Sequence, residues 1–122
     1  MKLINDLFVV RETSVSEVGF ITTIELNPGH IVYCGHFPGH PVTPGVIQMQ
    51  IVHELLEKHC CKNLRLITMS RCKFLKILNP NETSRIDVHI EVNRIDELVH
   101  IKSRGENGPD IFFRLNSVYQ FI

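Results

Sequence analysis

The sequence predicts an α+β fold, in which one long helix packs against an antiparallel sheet. Segments rich in Val, Ile, Phe and Thr lie on both sides of a single stretch with helical character, residues 44–59 of the 122-residue chain. Apolar and polar residues alternate most cleanly in residues 84–94, which is typical of a half-buried strand. One helix cannot cover a whole curved sheet, so a dimer or higher oligomer is also expected.

Two strands are predicted before the helix, at residues 7–13 and 18–26. Asn27-Pro28-Gly29 ends the second strand, because these residue types favour turns. The next apolar piece, IVYC at 31–34, is predicted to be short and extended.

The predicted helix, residues 44–59, begins after Thr43, a plausible N-cap, with Pro44 at its first position. Apolar residues cover most of its circumference, which predicts a helix largely buried by its own domain. Its polar residues recur at i, i+3, i+4 and i+7 and therefore share one face. These residues are Gln50, His53, Glu54 and Glu57.

After the helix the sequence predicts four or five antiparallel strands. The GENGPD segment at 105–110 contains an Asn-Gly pair and predicts a hairpin loop. The length predicts a single domain over residues 1–122. The predicted strands are residues 64–69, 71–78, 84–94, 98–104 and 111–122.

Composition excludes several functional classes. Lys+Arg and Asp+Glu number 13 each, so there is no general basic field for nucleic acid. No run approaches a membrane span, and the N-terminus does not resemble a signal peptide. The four cysteines lack the spacing of a metal site. A cytoplasmic protein with reduced thiols and neither a metal nor an organic cofactor is expected.

The stretch HFPGHPVTPGVIQMQ, residues 36–50, is the candidate site because three prolines and two glycines make it unusually constrained. Gly45 and Val46 fall in the first helical turn, where N–H groups lack a helical acceptor and suit a carbonyl that gains negative charge. His36 can act as a base near neutral pH. Together they predict proton abstraction next to a carbonyl. The alternative is that the prolines shape a turn and His36 caps a backbone group.

The motif His36-Phe37-Pro38-Gly39-x-Pro41-x-x-Pro44-Gly45-Val46 resembles the signature of the (3R)-3-hydroxyacyl-ACP dehydratases of fatty acid synthesis. The segment KFLKILNPNE, residues 73–82, is more weakly similar to a second segment of that family. The resemblance implies a hot-dog fold, a long helix wrapped by a curved antiparallel sheet and paired into dimers. It also implies a substrate carried as a thioester on acyl carrier protein or CoA.

The resemblance assigns roles residue by residue. His36 stands where the family has its catalytic histidine, and Gly45, with Val46 beside it, where a backbone N–H binds the thioester carbonyl. Phe37 and Pro38 belong to the same substrate-binding loop. In the second segment, Lys73 and Lys76 match a basic region that could meet an acidic carrier protein. The alternative for these two lysines is an ordinary solvated strand edge.

The sequence departs from the family at position 50, where the family's acidic residue is replaced by Gln50. Glu54 stands one turn later, where the family often has glutamine, and an amide cannot donate an ionisable proton at neutral pH. Glu54 could take over as the acid, or it could face solvent or make a structural hydrogen bond. A heterodimer with an acid-bearing homologue could complete the site. A non-catalytic binder of acyl-ACP or acyl-CoA is the third reading, and specialised polyene or lipid synthesis is an alternative pathway.

Overall fold

The computed structural model describes residues 2–34 and 39–122. Over this range the chain forms six strands, one α-helix and one short 3₁₀ turn at Ile31–Tyr33. The helix is α1, Gly45–Cys60. The strands are β1 Phe8–Val15, β2 Gly19–Leu26, β3 Leu64–Phe74, β4 Arg85–Ile95, β5 Leu98–Asn107 and β6 Asp110–Phe121.

The six strands form one antiparallel sheet in the order β1-β2-β4-β5-β6-β3. The predicted α+β architecture, one helix against an antiparallel sheet, is therefore confirmed. The chain crosses from β2 through α1 to β3 at the opposite edge, and it then returns inward through β4, which pairs with β2.

The core lies between α1 and one face of the sheet. Ile51, Val52 and Leu56 on the helix are at most 1% exposed. Alternate residues of the central strands face them, because side chains on a strand point to opposite faces in turn. These strand residues include Phe20, Ile24, Ile86, Val88, Ile90, Val99, Ile101, Phe113 and Leu115. The alternation in residues 84–94 correctly predicted this buried face.

Three local predictions were wrong. Residues 31–33 form a 3₁₀ turn, because the side chain of His30 accepts a hydrogen bond from Val32 N and caps it. Thr43 is not the N-cap of α1, since Pro44 occupies that position and Thr43 is buried. Residues 64–69 and 71–78 do not form two strands: β3 runs through Ser70, with register irregularities at Ile67 and at Ser70, and ends at Phe74.

The last hairpin is tighter than predicted. β5 extends to Asn107 and β6 begins at Asp110, so the turn is Gly108-Pro109. Gly108 has φ +56°, a conformation that glycine adopts without steric cost. Among the described residues, no helix is long and apolar enough to cross a membrane.

Candidate active site

Two buried residues flank the predicted site loop and hydrogen-bond to each other. Tyr33, at the end of the 3₁₀ turn, lies with its hydroxyl 2.9 Å from the Thr43 hydroxyl. Thr43 N donates to Leu78 O at 2.9 Å, which ties the start of α1 to the segment after β3. Burial raises the pKa of the Tyr33 phenol, although its bond to Thr43 opposes that shift. The chain on both sides of the loop is therefore fixed to the core.

The catalytic base predicted at His36 and the substrate contacts predicted at Phe37 and Pro38 lie outside the described residues. The oxyanion-type donors predicted at Gly45 and Val46 are in the first turn of α1, as the sequence indicated. In this turn the N–H groups of Ile47 and Gln48 donate to Pro44 O at 3.0 and 3.1 Å. The N–H groups of Gly45 and Val46, which come before these two, have no acceptor within the helix because no earlier helical turn exists.

Gly45 is required by its packing against β3. A Cβ atom at this position would lie 2.7–2.8 Å from atoms of the Phe74 ring, closer than van der Waals contact allows. Phe74 pairs with Phe113 across β3 and β6, so the ring is placed by the sheet. The sequence could not reveal this contact, because Gly45 and Phe74 are far apart along the chain.

Gln48 is a candidate site residue that sequence reasoning missed. It is 3% exposed, and its Nε2 donates to Thr43 O at 2.9 Å. Its Oε1 is buried without a hydrogen-bond partner among the residues that the structure describes. Gln48 lines a cavity of about 300 Å³ together with Thr43, Gly45, Phe74 and Leu78. The only sequence signal for Gln48 as a site residue was that it is an amide among apolar neighbours on the helix.

Gln50 and Glu54 are in direct contact one turn apart on α1. Gln50 Nε2 donates to Glu54 Oε2 at 2.8 Å. Glu54 is 3% exposed, so it does not face solvent. Leu3 N lies 2.8 and 2.9 Å from its two carboxylate oxygens, and Ile4 N donates to Oε1 at 2.9 Å. The sequence had left open whether Glu54 faces solvent or makes a structural hydrogen bond, and the structure contains the hydrogen bond.

The remainder of the helix's polar face holds the start of β3. Glu57 Oε2 accepts a hydrogen bond from Leu64 N at 2.8 Å, and His53 Nε2 pairs with Leu64 O at the same distance. His53 and Glu57 also approach each other to 3.6 Å. Both residues therefore have structural partners, although the sequence grouped them with Gln50 and Glu54 on one face.

The two lysines predicted to meet a carrier protein have different surroundings. Lys76 forms a 2.8 Å surface ion pair with Asp110. Lys73 pairs in register with Arg114 on β6, which in turn pairs with Arg104 on β5. Arg71 and Lys102 both pair with Asn116 one step along, so all five cations share one sheet face. We call Arg71, Lys73, Lys102, Arg104 and Arg114 the basic face. Two of its cations have acidic neighbours there, because Glu91 pairs in register with Lys102 and Glu106 forms a 3.2 Å ion pair with Arg104.

The described residues contain no group of three or more His, Cys, Asp or Glu side chains that could hold a metal. The four cysteines are unpaired, and Cys34 and Cys61 are exposed. Burial raises the pKa of the half-buried Cys60 thiol.

Comparison with known sequences identifies relatives. The family model described as ApeI-like, ApeI dehydratase, matches residues 12–107. A 3-hydroxyacyl-[acyl-carrier-protein] dehydratase FabZ of Lactobacillus helveticus is 30% identical over 101 residues, covering 67% of this chain and 68% of the relative. FabZ of Chloroflexus aggregans is 27% identical, covering 73% and 65%. FabZ of Rickettsia rickettsii is 31% identical, covering 51% and 48%. The matches thus span from 48% to 68% of the relatives' lengths.

Solved structures share the architecture. The dehydratase heterocomplex ApeI:P from Xenorhabdus doucetiae contains a chain with TM-score 0.73 and 16% identity, covering 92% of this chain and 96% of that one. An uncharacterised protein from Erwinia carotovora has TM-score 0.69 and 15% identity, covering 95% and 96%. At these identities the likeness shows the fold alone. The family match covers most of the chain, including the loop and α1, and the chain therefore belongs to the ApeI-like dehydratase family.

Proposed function

We propose that this chain dehydrates (3R)-3-hydroxyacyl thioesters carried on acyl carrier protein to trans-2-enoyl thioesters, in fatty acid or specialised polyene and lipid synthesis. One observation carries the proposal: the family match over residues 12–107 includes both the histidine-containing loop and the helix that begins at Gly45. The FabZ relatives, which are named as dehydratases of this substrate class, support it.

The reaction assigns a task to each predicted residue. His36 removes the proton from C2, and the carbonyl oxygen that gains negative charge accepts hydrogen bonds from Gly45 N–H and Val46 N–H. Phe37 and Pro38 contact the substrate. The C3–O bond breaks as the C2=C3 bond forms, and the leaving hydroxide needs a proton to depart as water.

Supplying that proton is the step for which this chain is poorly equipped. Gln50 can hydrogen-bond the leaving hydroxyl, but its amide has no ionisable proton to give. Losing a general acid slows such reactions by roughly 10²–10⁴-fold. The proton taken by His36 could be returned to the hydroxide, Glu54 could supply the proton, or a partner chain could supply an acid. The last route makes this chain a subunit of a two-chain site.

The exposed edge strand β3 is an argument for a partner chain of the same fold. Almost all of its side chains are exposed, and Leu66, Ile67 and Phe74 are between 39% and 48% exposed. The opposite edge, β1, is shorter, and it exposes mainly polar residues such as Arg11 and Glu12, with Val15 at its end. A long edge strand with apolar side chains is a template for pairing with another chain. We therefore place the dimer interface at β3, with a second copy or an acid-bearing homologue as its occupant. The Xenorhabdus structure is itself a heterocomplex.

The decisive experiment is dehydration of a 3-hydroxyacyl-ACP by the purified chain. We expect weak turnover that is abolished by His36→Ala and retained by His40→Ala, a matched control with an exposed histidine in the same loop. Exchanging the residues at positions 50 and 54 together, Gln50→Glu with Glu54→Gln, should raise the rate by about 10²-fold if only the acid is missing.

Other outcomes identify the remaining readings. A silent chain that becomes active when mixed with an acid-bearing homologue, and only with His36 intact, identifies a two-chain site. If the chain shows no activity under any condition but binds acyl-ACP tightly, it is a non-catalytic binder and not an enzyme. The cytoplasmic location stays a prediction.

The basic face is the proposed docking surface for the acidic carrier protein. It contains Lys73 but not Lys76, which pairs with Asp110, and it brings five cations together in a chain with no net charge. Lys73→Glu with Arg114→Glu should weaken carrier binding, and salt should weaken wild-type binding in the same way. Lys58→Glu, an exposed lysine on α1, is the matched control. Equal binding by both charge-reversed proteins would contradict this docking surface.

A further inference from the structure

Glu54 is a buried carboxylate whose partners come from the N-terminal segment and from its own helix. Its oxygens accept hydrogen bonds from the backbone of Leu3 and Ile4, about fifty residues away, and from the side chain of Gln50. A carboxylate buried to 3% exposure is tolerated only when hydrogen bonds replace its hydration. Bonds to a charged acceptor are also stronger than those between neutral groups. The N-terminal segment, Leu3 and Ile4, is thereby tethered to the middle of α1.

The same carboxylate fixes the direction of the Gln50 amide. An amide can rotate by 180° and exchange its donor and acceptor ends, unless a neighbour accepts only one of them. Glu54 is such a neighbour, because both of its carboxyl oxygens accept hydrogen bonds from N–H groups. Nε2 of Gln50 therefore faces Glu54, and its Oε1 is on the other side of the amide.

The geometry of α1 connects this arrangement to the proposed site. Val46, Gln50 and Glu54 follow one another at intervals of four residues and share one helix face. The row begins in the first turn, where the substrate carbonyl is proposed to bind, and it ends at the N-terminal tether. Gln50 lies between the two.

We propose that Glu54 is a positioning residue, which uses its buried charge to hold the N-terminal segment and to set the direction in which Gln50 meets the substrate. This inference rests on the proposed function for the substrate, but the tether and the amide direction can be tested without catalysis. Glu54 would then not be the general acid of the reaction.

The arrangement also gives a physical reason for the amide at position 50. A glutamate there would place a second carboxylate at hydrogen-bond distance from Glu54, and two carboxylates so close repel unless they share a proton. Exchanging both residues avoids the repulsion, because a glutamine at 54 can donate to a glutamate at 50. The charge is then moved one turn, about 6 Å, toward the start of the helix.

The test compares Glu54→Gln with Glu57→Gln, which removes the same charge from the same helix. Nuclear magnetic resonance follows hydrogen exchange at the Leu3 and Ile4 amides and the side-chain NH₂ signals of Gln50. Glu54→Gln should speed exchange at both amides by about tenfold or more, since a charged acceptor is lost. It should also shift the Gln50 signals, because Gln50 can now turn its oxygen toward position 54. Glu57→Gln should leave exchange within about twofold and those signals in place.

The catalytic readout uses the same two variants. If Glu54 positions Gln50, Glu54→Gln lowers kcat with little change in KM, and the pH–rate profile keeps its shape. Unchanged exchange and unchanged Gln50 signals would overturn the inference. Loss of one limb of the pH–rate profile would also overturn it, because Glu54 would then be the acid.

Two further results keep the test decisive. If Glu54→Gln fails to fold, Glu54→Asp retains the charge on a shorter side chain and should accelerate exchange at Leu3 and Ile4 specifically. If the wild-type chain has no dehydratase activity, the proposed function fails as stated for the isolated chain. The exchange rates and the Gln50 signals still decide whether Glu54 is the tether and the positioning residue.

Discussion

The apolar and polar faces of α1 are stabilised in different ways. Toward the sheet, Ile51 and Leu55 pack among apolar side chains and are 1% and 2% exposed. On the polar face, Glu54 is equally buried, yet it contacts backbone N–H groups and an amide. Apolar packing is roughly proportional to area and has no direction, whereas hydrogen bonds require particular partners at particular distances. The first face therefore supplies stability, and the second fixes where neighbouring segments and the site residues lie.

The largest effect should come from the apolar face. Ile51→Ala should lower the free energy of unfolding by about 2–5 kcal/mol, because it removes buried methyl groups and leaves a cavity. Val46→Ala, at a position that is 68% exposed on the same helix, is the control and should change it by less than about 0.5 kcal/mol. Urea denaturation measures both. Equal losses would mean that burial does not distinguish these positions.

The first turn of α1 should be the next most sensitive place. Gly45→Ala should cost about 1–3 kcal/mol, because the new Cβ would overlap the Phe74 ring. Phe74→Leu removes the ring and should reduce the cost of Gly45→Ala in a double-mutant cycle. Additive losses in that cycle would show that the Phe74 ring is not what requires glycine at this position.

The polar face should show a smaller and more local effect. Glu57→Gln weakens the acceptor for Leu64 N and should lower the free energy of unfolding by about 1 kcal/mol. Its distinguishing result is faster hydrogen exchange at Leu64, at the start of β3, with little change at the apolar core. Uniformly faster exchange throughout the protein would instead place Glu57 among the global determinants of stability.

The smallest expected effect concerns alkaline pH. Burial raises the pKa of Tyr33 and of Tyr119, whose ring lies 5.1 Å from that of His53 on the polar face. The folded state therefore disfavours each phenolate, and this contribution is complete below the unfolded pKa of about 10. It is lost as the pH rises through the folded value. The free energy of unfolding should fall above about pH 10.

Tyr119→Phe is the control for that pH dependence. Between about pH 9 and pH 11 the free energy of unfolding should fall less steeply in this variant than in the wild type. Urea denaturation at each pH measures it. An unchanged slope would mean that the phenol does not contribute through its ionisation.

The sequence predicted most elements because their signals are local. Strand alternation in residues 84–94 and the apolar circumference of residues 44–59 each reflect neighbours along the chain. The candidate site loop was predicted in the same way, since its prolines, glycines and histidine are contiguous. The errors arose where distant residues decide. Thr43 is bonded to Tyr33 rather than capping the helix, and β3 continues through Ser70 because β6 pairs along its length.

By itself, the sequence determined the α+β class, the helix with its apolar and polar faces, and the motif that links this chain to the dehydratases. It also determined that position 50 is an amide and position 54 an acid. Only the tertiary structure decided what Glu54 contacts, why Gly45 admits no side chain, and that Gln48 is buried beside a cavity. The physical reason is the same in each case: these properties depend on hydrogen bonds and contacts between segments tens of residues apart, which no local pattern encodes.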